Sequence, residues 1–77
     1  MKNVEIINEP VELYKILKFE GLVSSGGQAK RVIAEGQVLV NGKTETRKRK
    51  KIVAGDVIEF ESERFSIHLK LESSQES

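Results

Sequence analysis

The sequence predicts an α+β fold: two short helices packed against a small, mostly antiparallel sheet. Three observations carry this expectation. Apolar residues recur at helical spacing twice before residue 36, as Leu13-Ile16-Leu17 and as Ala29-Val32-Ile33, and a glycine follows each stripe. After Gly36 the apolar period drops to two, the spacing of a half-buried strand. Asn41-Gly42 then interrupts the alternation, and this dipeptide is favoured in tight type I′ hairpins.

The elements follow in chain order. Val4-Glu5-Ile6 alternates and reads as a short edge strand. Asn8-Glu9-Pro10 looks like a helix start, because proline suits the first turn and an acidic residue suits the positive end of the dipole. Helix one is placed at about 10 to 20, with Gly21 as its left-handed cap. Ser25 and Gln28 have capping-box spacing, so helix two starts there, and Gly36 closes it. Gln37 to Val40 is a strand, Asn41-Gly42 its turn, and Lys43 to Thr46 the return, which has no apolar face. Arg47 to Lys51 is expected to continue that strand as an extended basic ribbon. Ala54-Gly55-Asp56 turns into the strand Val57 to Phe60, and Glu61-Ser62-Glu63 turns again. Phe65, Ile67, Leu69 and Leu71 then alternate with polar residues, with Phe60 and Phe65 expected in the core. Residues 1–71 are expected to form a single domain and 72–77 a disordered polar tail.

Size and composition narrow the function. A chain of 77 residues buries only about 60% of its unfolded surface, which leaves no room for separate cofactor and substrate domains. It has no cysteine, hence no disulfide framework and no thiolate metal site. No stretch approaches the ~18 apolar residues of a membrane span, so a cytoplasmic protein is expected. His68 is the only histidine and has no nucleophile near it in sequence. Glu59, Glu61 and Glu63 bracket a turn, and Gly26-Gly27 lacks any Walker or dinucleotide context. The expectation is therefore no enzyme, no cofactor, no metal and no small-molecule substrate.

The net charge of +1 conceals a strong division. Residues 30 to 51 carry eight basic residues against Glu35 and Glu45, a balance of +6, while the rest of the chain holds five basic and ten acidic residues, −5. A polyanion met by one face explains such a split, and a solvated basic loop is the alternative. The candidate RNA-binding residues are Lys30 and Arg31 on helix two, Asn41 and Lys43 at the hairpin, and Arg47, Lys48, Arg49, Lys50 and Lys51 beyond it. Lysine and arginine neutralise phosphates and release counterions. Asn41 has a competing role as the left-handed turn residue. Tyr14, Phe19, Phe60 and Phe65 are the only aromatics, too few for a base-stacking platform, so structured RNA is expected over a bare single strand.

Several stretches together resemble the S-four domain, the αL-type RNA-binding module of small-subunit ribosomal protein four. They are Leu13-x3-Leu17-x3-Gly21-Leu22, Ser25-x2-Gln28-Ala29-Lys30, Ile33-x2-Gly36-x-Val38-x-Val40-Asn41-Gly42 and Gly55-Asp56-x-Ile58. Small stand-alone YbcJ-like members resemble the chain further, through Ile33 to Val38, Glu45 to Arg49 and Lys51 to Gly55. The resemblance implies that the helix pair and hairpin form one basic surface gripping ribosomal or transfer RNA. Two positions depart from the family pattern, Glu12 and Gly26, where many members carry arginine. Rival readings are a protein–protein adaptor docking an acidic partner and a DNA-binding accessory factor.

Overall fold

Both helices form around their apolar stripes and end in the same way. In the computed structural model, which describes residues 1–70, α1 spans Leu13–Phe19 and buries Leu13, Ile16 and Leu17. Helix α2 spans Gly26–Ala34 and buries Ala29, Val32 and Ile33. After α1 the amides of Gly21 and Leu22 donate to the carbonyls of Lys18 and Leu17; after α2, Gly36 and Gln37 donate to Ile33 and Val32. These are paired Schellman caps, and each needs positive φ at its glycine, +72° at Gly21 and +79° at Gly36.

The capping box at α2 is shifted by one residue. Ser25 Oγ accepts from the Gln28 amide at 3.1 Å, as the spacing predicts. Gln28 Oε1 instead reaches Ser24, accepting from its amide at 2.8 Å and its hydroxyl at 2.6 Å.

The start of α1 departs further from expectation. Pro10 does not open the helix: Val11–Glu12 forms a two-residue strand, β2, and α1 begins only at Leu13. Its partner is Lys51–Ile52, with Val11 opposite Ile52 and Glu12 opposite Lys51. Fully buried Ile52 fixes this small ladder to the core, and burying such a side chain is worth about 1.5–3 kcal/mol.

The main sheet contains β1 (Lys2–Ile6), β3 (Val38–Val40), β4 (Lys43–Thr44), β6 (Val57–Phe60) and β7 (Glu63–Leu69), with β5 being Lys51–Ile52 of the small ladder. Its order is β1-β7-β6-β3-β4. All neighbours are antiparallel except β1 and β7, which run parallel with Val4 opposite Ile67. The helices cover one face, where Val38, Ile58, Phe60, Phe65 and Ile67 are buried. The strand expected at Val4 to Ile6 is thus present, at the sheet edge.

The extended basic ribbon is not. β4 stops at Thr44, and a turn falls at Lys48-Arg49, with the Lys50 amide donating to the Arg47 carbonyl at 3.2 Å. A strand with no apolar face gains nothing from staying in the sheet, so residues 45–50 leave it. Arg47, Arg49 and Lys51 therefore do not alternate on one face. The last expected apolar position of the final strand, Leu71, and the expected tail 72–77 lie outside the described residues.

Two hairpins use two-residue turns. Asn41 and Gly42 have φ of +53° and +83°, the expected type I′ geometry, with Val40 opposite Lys43. Glu61 and Ser62 have φ of +55° and +68°, with Phe60 opposite Glu63. The second turn holds two L-residues in a region costing about 1–2 kcal/mol each. Ser62→Gly relieves one of them, so it is expected to stabilise the domain by about 1 kcal/mol despite the added backbone entropy of the unfolded chain. Thermal melts of parent and variant check this. An unchanged or lower melting temperature would show that the turn tolerates serine without strain.

Candidate nucleic-acid interface

The basic segment is held by its main chain. The amide of Glu45 donates to the Val38 carbonyl at 2.9 Å, anchoring the point where the chain leaves the sheet. The Glu45 carboxylate then accepts three bonds from Arg47: from the backbone amide at 3.0 Å, Nε at 2.9 Å and Nη2 at 3.2 Å. The bidentate guanidinium bond is the main cause that lowers the Glu45 carboxyl to about pKa 2, and Lys50 adds a smaller contribution. The Arg47 guanidinium is raised in turn by the same bond.

Beyond Arg47 the chain docks on α1. The first-turn amides of a helix have no partner within it. Here the Tyr14 amide donates to the Lys48 carbonyl at 3.1 Å and the Leu13 amide to the Lys50 carbonyl at 2.9 Å. Glu12, the N-cap residue, makes no side-chain cap bond, so the basic loop supplies the capping acceptors. Carbonyls face the helix while the side chains of Lys48, Arg49 and Lys51 remain exposed.

Lys30 of α2 joins this loop from across the helix pair. Its ammonium sits 4.9 Å from the centroid of the Tyr14 ring, a cation–π distance that holds the charge in place. Lys30, Arg47, Lys48, Arg49, Lys50 and Lys51 line one open groove, together with Ala34 and Thr46. Six of the nine candidate residues therefore converge. Among the described residues Lys48, Arg49, Lys50 and Lys51 form no ion pair, whereas Arg47 is spent on Glu45.

The other three candidates lie elsewhere. Arg31 borders a separate shallow depression with Ser24, Ser25, Gly27 and Gln28 at the start of α2. Lys43 is exposed on β4 but does not line the groove. Asn41 has its side chain engaged at both ends: Nδ2 donates to Asp56 Oδ1 at 3.0 Å, and Oδ1 accepts from the Val57 amide at 2.9 Å. Asp56 also accepts from the Val53 amide at 3.0 Å, so Asn41 ties the hairpin tip to the 54–56 turn. Tyr14 and Thr46 were not expected at the site. Only the packing of α1 on α2 brings Tyr14 beneath Lys30, and no local pattern announces that.

The same helix pair, hairpin and return strands recur in known proteins. Residues 4–68 match the S4 domain. The chain belongs to the S4 domain family. Escherichia coli YbcJ, which bears an RNA-binding name, is 62% identical over 50 residues, covering 65% of this chain and 71% of YbcJ. Its solution structure, described as an αL motif involved in RNA binding, superposes with a TM-score of 0.67 at 46% identity, over 88% of this chain and 87% of that one. A Bacillus subtilis protein named for ribosome maturation, RlbA, is 38% identical over 58 residues, covering 75% of this chain and 82% of RlbA. The ribosomal protein S4e of Thermoplasma acidophilum superposes with a TM-score of 0.62 at 33% identity, over 74% of this chain and 30% of that one. Among the described residues of this S4 domain, no helix is long and apolar enough to cross a membrane.

The Glu45–Arg47 clasp has a pH signature. A carboxyl lowered from 4.5 to about 2 in the fold contributes stability that is present above about pH 4.5 and lost as pH falls toward 2. Glu45→Gln is therefore expected to be less stable than the parent at neutral pH, with the gap closing between pH 4.5 and 2. Urea unfolding across that range measures it. A gap that stays constant would assign the loss to something other than the carboxylate charge.

Proposed function

We propose that this chain is a non-catalytic, cytoplasmic RNA-binding protein that grips structured RNA by its phosphates, with residues 1–71 as one domain. Ribosomal RNA is the favoured partner and transfer RNA the second. The observation that carries the reading is the groove itself: besides Arg47, four cations project from a loop whose backbone is fixed on both sides, and Lys30 joins them from α2. Cations presented in this way neutralise a polyanion without reading its sequence. The groove contains no exposed aromatic for stacking, since Tyr14 is half-buried beneath Lys30 and Phe60 and Phe65 are in the core. Recognition then rests on the spacing of phosphates in a folded RNA, which A-form geometry fixes. The name of RlbA favours ribosome-related RNA. His68 bonds to Ser66 and Asn3 on the sheet and does not line the groove, which supports a site without catalysis.

Affinity for a ribosomal RNA fragment is expected to fall steeply with salt. About four phosphate contacts give a log–log slope of about −3 to −4. Changing Lys48, Arg49 and Lys51 together to alanine keeps the capping carbonyls and removes three exposed charges. The slope is expected to shrink by about 2 to 3, with all structured RNAs weakened alike. Filter binding from about 50 to 200 mM salt reads both effects. Equal slopes for parent and variant would reduce the groove to a solvated surface, and no measurable RNA affinity would favour the protein adaptor. Binding that does not discriminate RNA from duplex DNA would favour the DNA accessory factor.

Tyr14 gives a separate check. Tyr14→Phe keeps a ring under Lys30 and is expected to bind like the parent. Tyr14→Leu removes the cation–π contact, worth about 0.5–1 kcal/mol at a partly exposed site, and is expected to weaken binding about two- to fivefold. Equal affinity of the leucine and phenylalanine variants would show that the ring does not position Lys30.

A further inference from the structure

A second groove borders the first and has the opposite character. Ile7 and Phe19, 69% and 68% exposed, flank it, and Val11 and Ile16 form its floor. Apart from Met1, these two are the most exposed large hydrophobics among the described residues, and both border this one depression. A contiguous apolar patch of this kind marks an interaction surface more often than a solvated accident.

One wall of the groove is the open edge of the sheet. β1 is an outer strand, and its residues Val4 to Ile6, with Ile7 just after it, line the depression. The Ile6 carbonyl accepts from the Lys70 amide at 2.8 Å, so Ile6 faces β7. Parallel pairing alternates, which turns the N–H and C=O groups of Asn3 and Glu5 away from β7 and toward the open side. Among the described residues these groups have no partner. An unpaired row of backbone groups beside an apolar trough is the arrangement used in strand addition, where main-chain bonds give affinity and alternate side chains fill pockets.

Charge selects the occupant. Glu12 is paired with Lys15 at 3.7 Å, leaving Glu5 and Glu20 on the rim and exposed Glu9 beside it. Lys51 stands only at the boundary with the basic groove. An acidic rim repels phosphates and attracts lysine and arginine. We infer that the groove between β1 and α1 docks an extended segment of a partner protein, apolar at alternate positions and flanked by basic residues, which adds a strand to β1 and packs against Phe19 and Ile7. This surface shares only Lys51 with the basic groove and does not depend on what that groove binds.

The test uses the full chain and short synthetic peptides of alternating valine and threonine, flanked by lysines in one version and by glutamates in the other. The lysine-flanked peptide is expected to bind saturably and to shift the amide resonances of Asn3, Glu5 and Phe19 while leaving Lys48 and Arg49 unmoved. The glutamate-flanked version is expected to bind at least about tenfold more weakly. Phe19→Ser, on an exposed side chain, is expected to retain the fold and the RNA affinity yet lose about tenfold in peptide affinity, the effect of truncating an aromatic anchor. Equal binding of both peptides, or parental affinity in Phe19→Ser, would overturn the inference. So would an RNA oligonucleotide that displaces the peptide and shifts the same three resonances.

Discussion

Two hydrogen bonds at the start of α1 set the geometry of the basic loop from Arg47 to Lys51. A helix begins with unpartnered amides, and a buried or half-buried amide without an acceptor costs about 1–3 kcal/mol. Leu13 is fully buried and Tyr14 half-buried, and the sequence offers them no side-chain cap. The carbonyls of Lys48 and Lys50 meet that need. A segment that would otherwise wander in solvent is thereby fixed to the helix pair, and its lysines and arginine project into one groove. The small ladder from Val11 to Ile52 and the Glu45–Arg47 clasp close the segment on either side.

This arrangement explains why so much like charge is tolerated. Six cations gather in one groove, yet the attachments that hold them are main-chain bonds and apolar burial, neither of which weakens with the charge of the side chains. The exceptions are Lys30, whose charge rests on the Tyr14 ring, and Arg47, whose charge is committed to Glu45. The role of Arg47 is to shape the loop, and the cations beyond it present the surface.

Much of the fold was legible in the sequence because its signals are local. Leu13, Ile16 and Leu17 declare a helix face without reference to anything distant, as do Ala29, Val32 and Ile33. Asn41-Gly42 declares its turn by backbone preference alone. The same logic shows where reading failed. Glu61-Ser62 lies in the expected 61–63 turn, but its positive-φ geometry was not legible, because these residues carry no such preference and the strands on either side impose it. Pro10 looked like a helix opener because the competing partner of Val11-Glu12 is forty residues away in Lys51-Ile52. Of the candidate site, residue type was sufficient to mark the charges, but the shape was not. The turn at Lys48-Arg49, the engagement of Asn41 by Asp56 and the Tyr14–Lys30 stack are all set by tertiary neighbours.

The single parallel pairing imposes an order on how the molecule is assembled. Lys2 and Phe65 are register partners 63 positions apart, and Val4 and Ile6 reach their buried places only when β7 lies beside β1. Closing so long a loop costs entropy before any contact repays it, which makes such pairings slow. The helix pair and the basic loop are synthesised before Glu63–Leu69, because all of their residues precede it in the chain. The basic groove is thus complete in sequence while β1 still waits for β7, its neighbour among the described strands. Until that strand is made, the edge of β1 and the apolar side chains of Val4 and Ile6 have nothing to cover them.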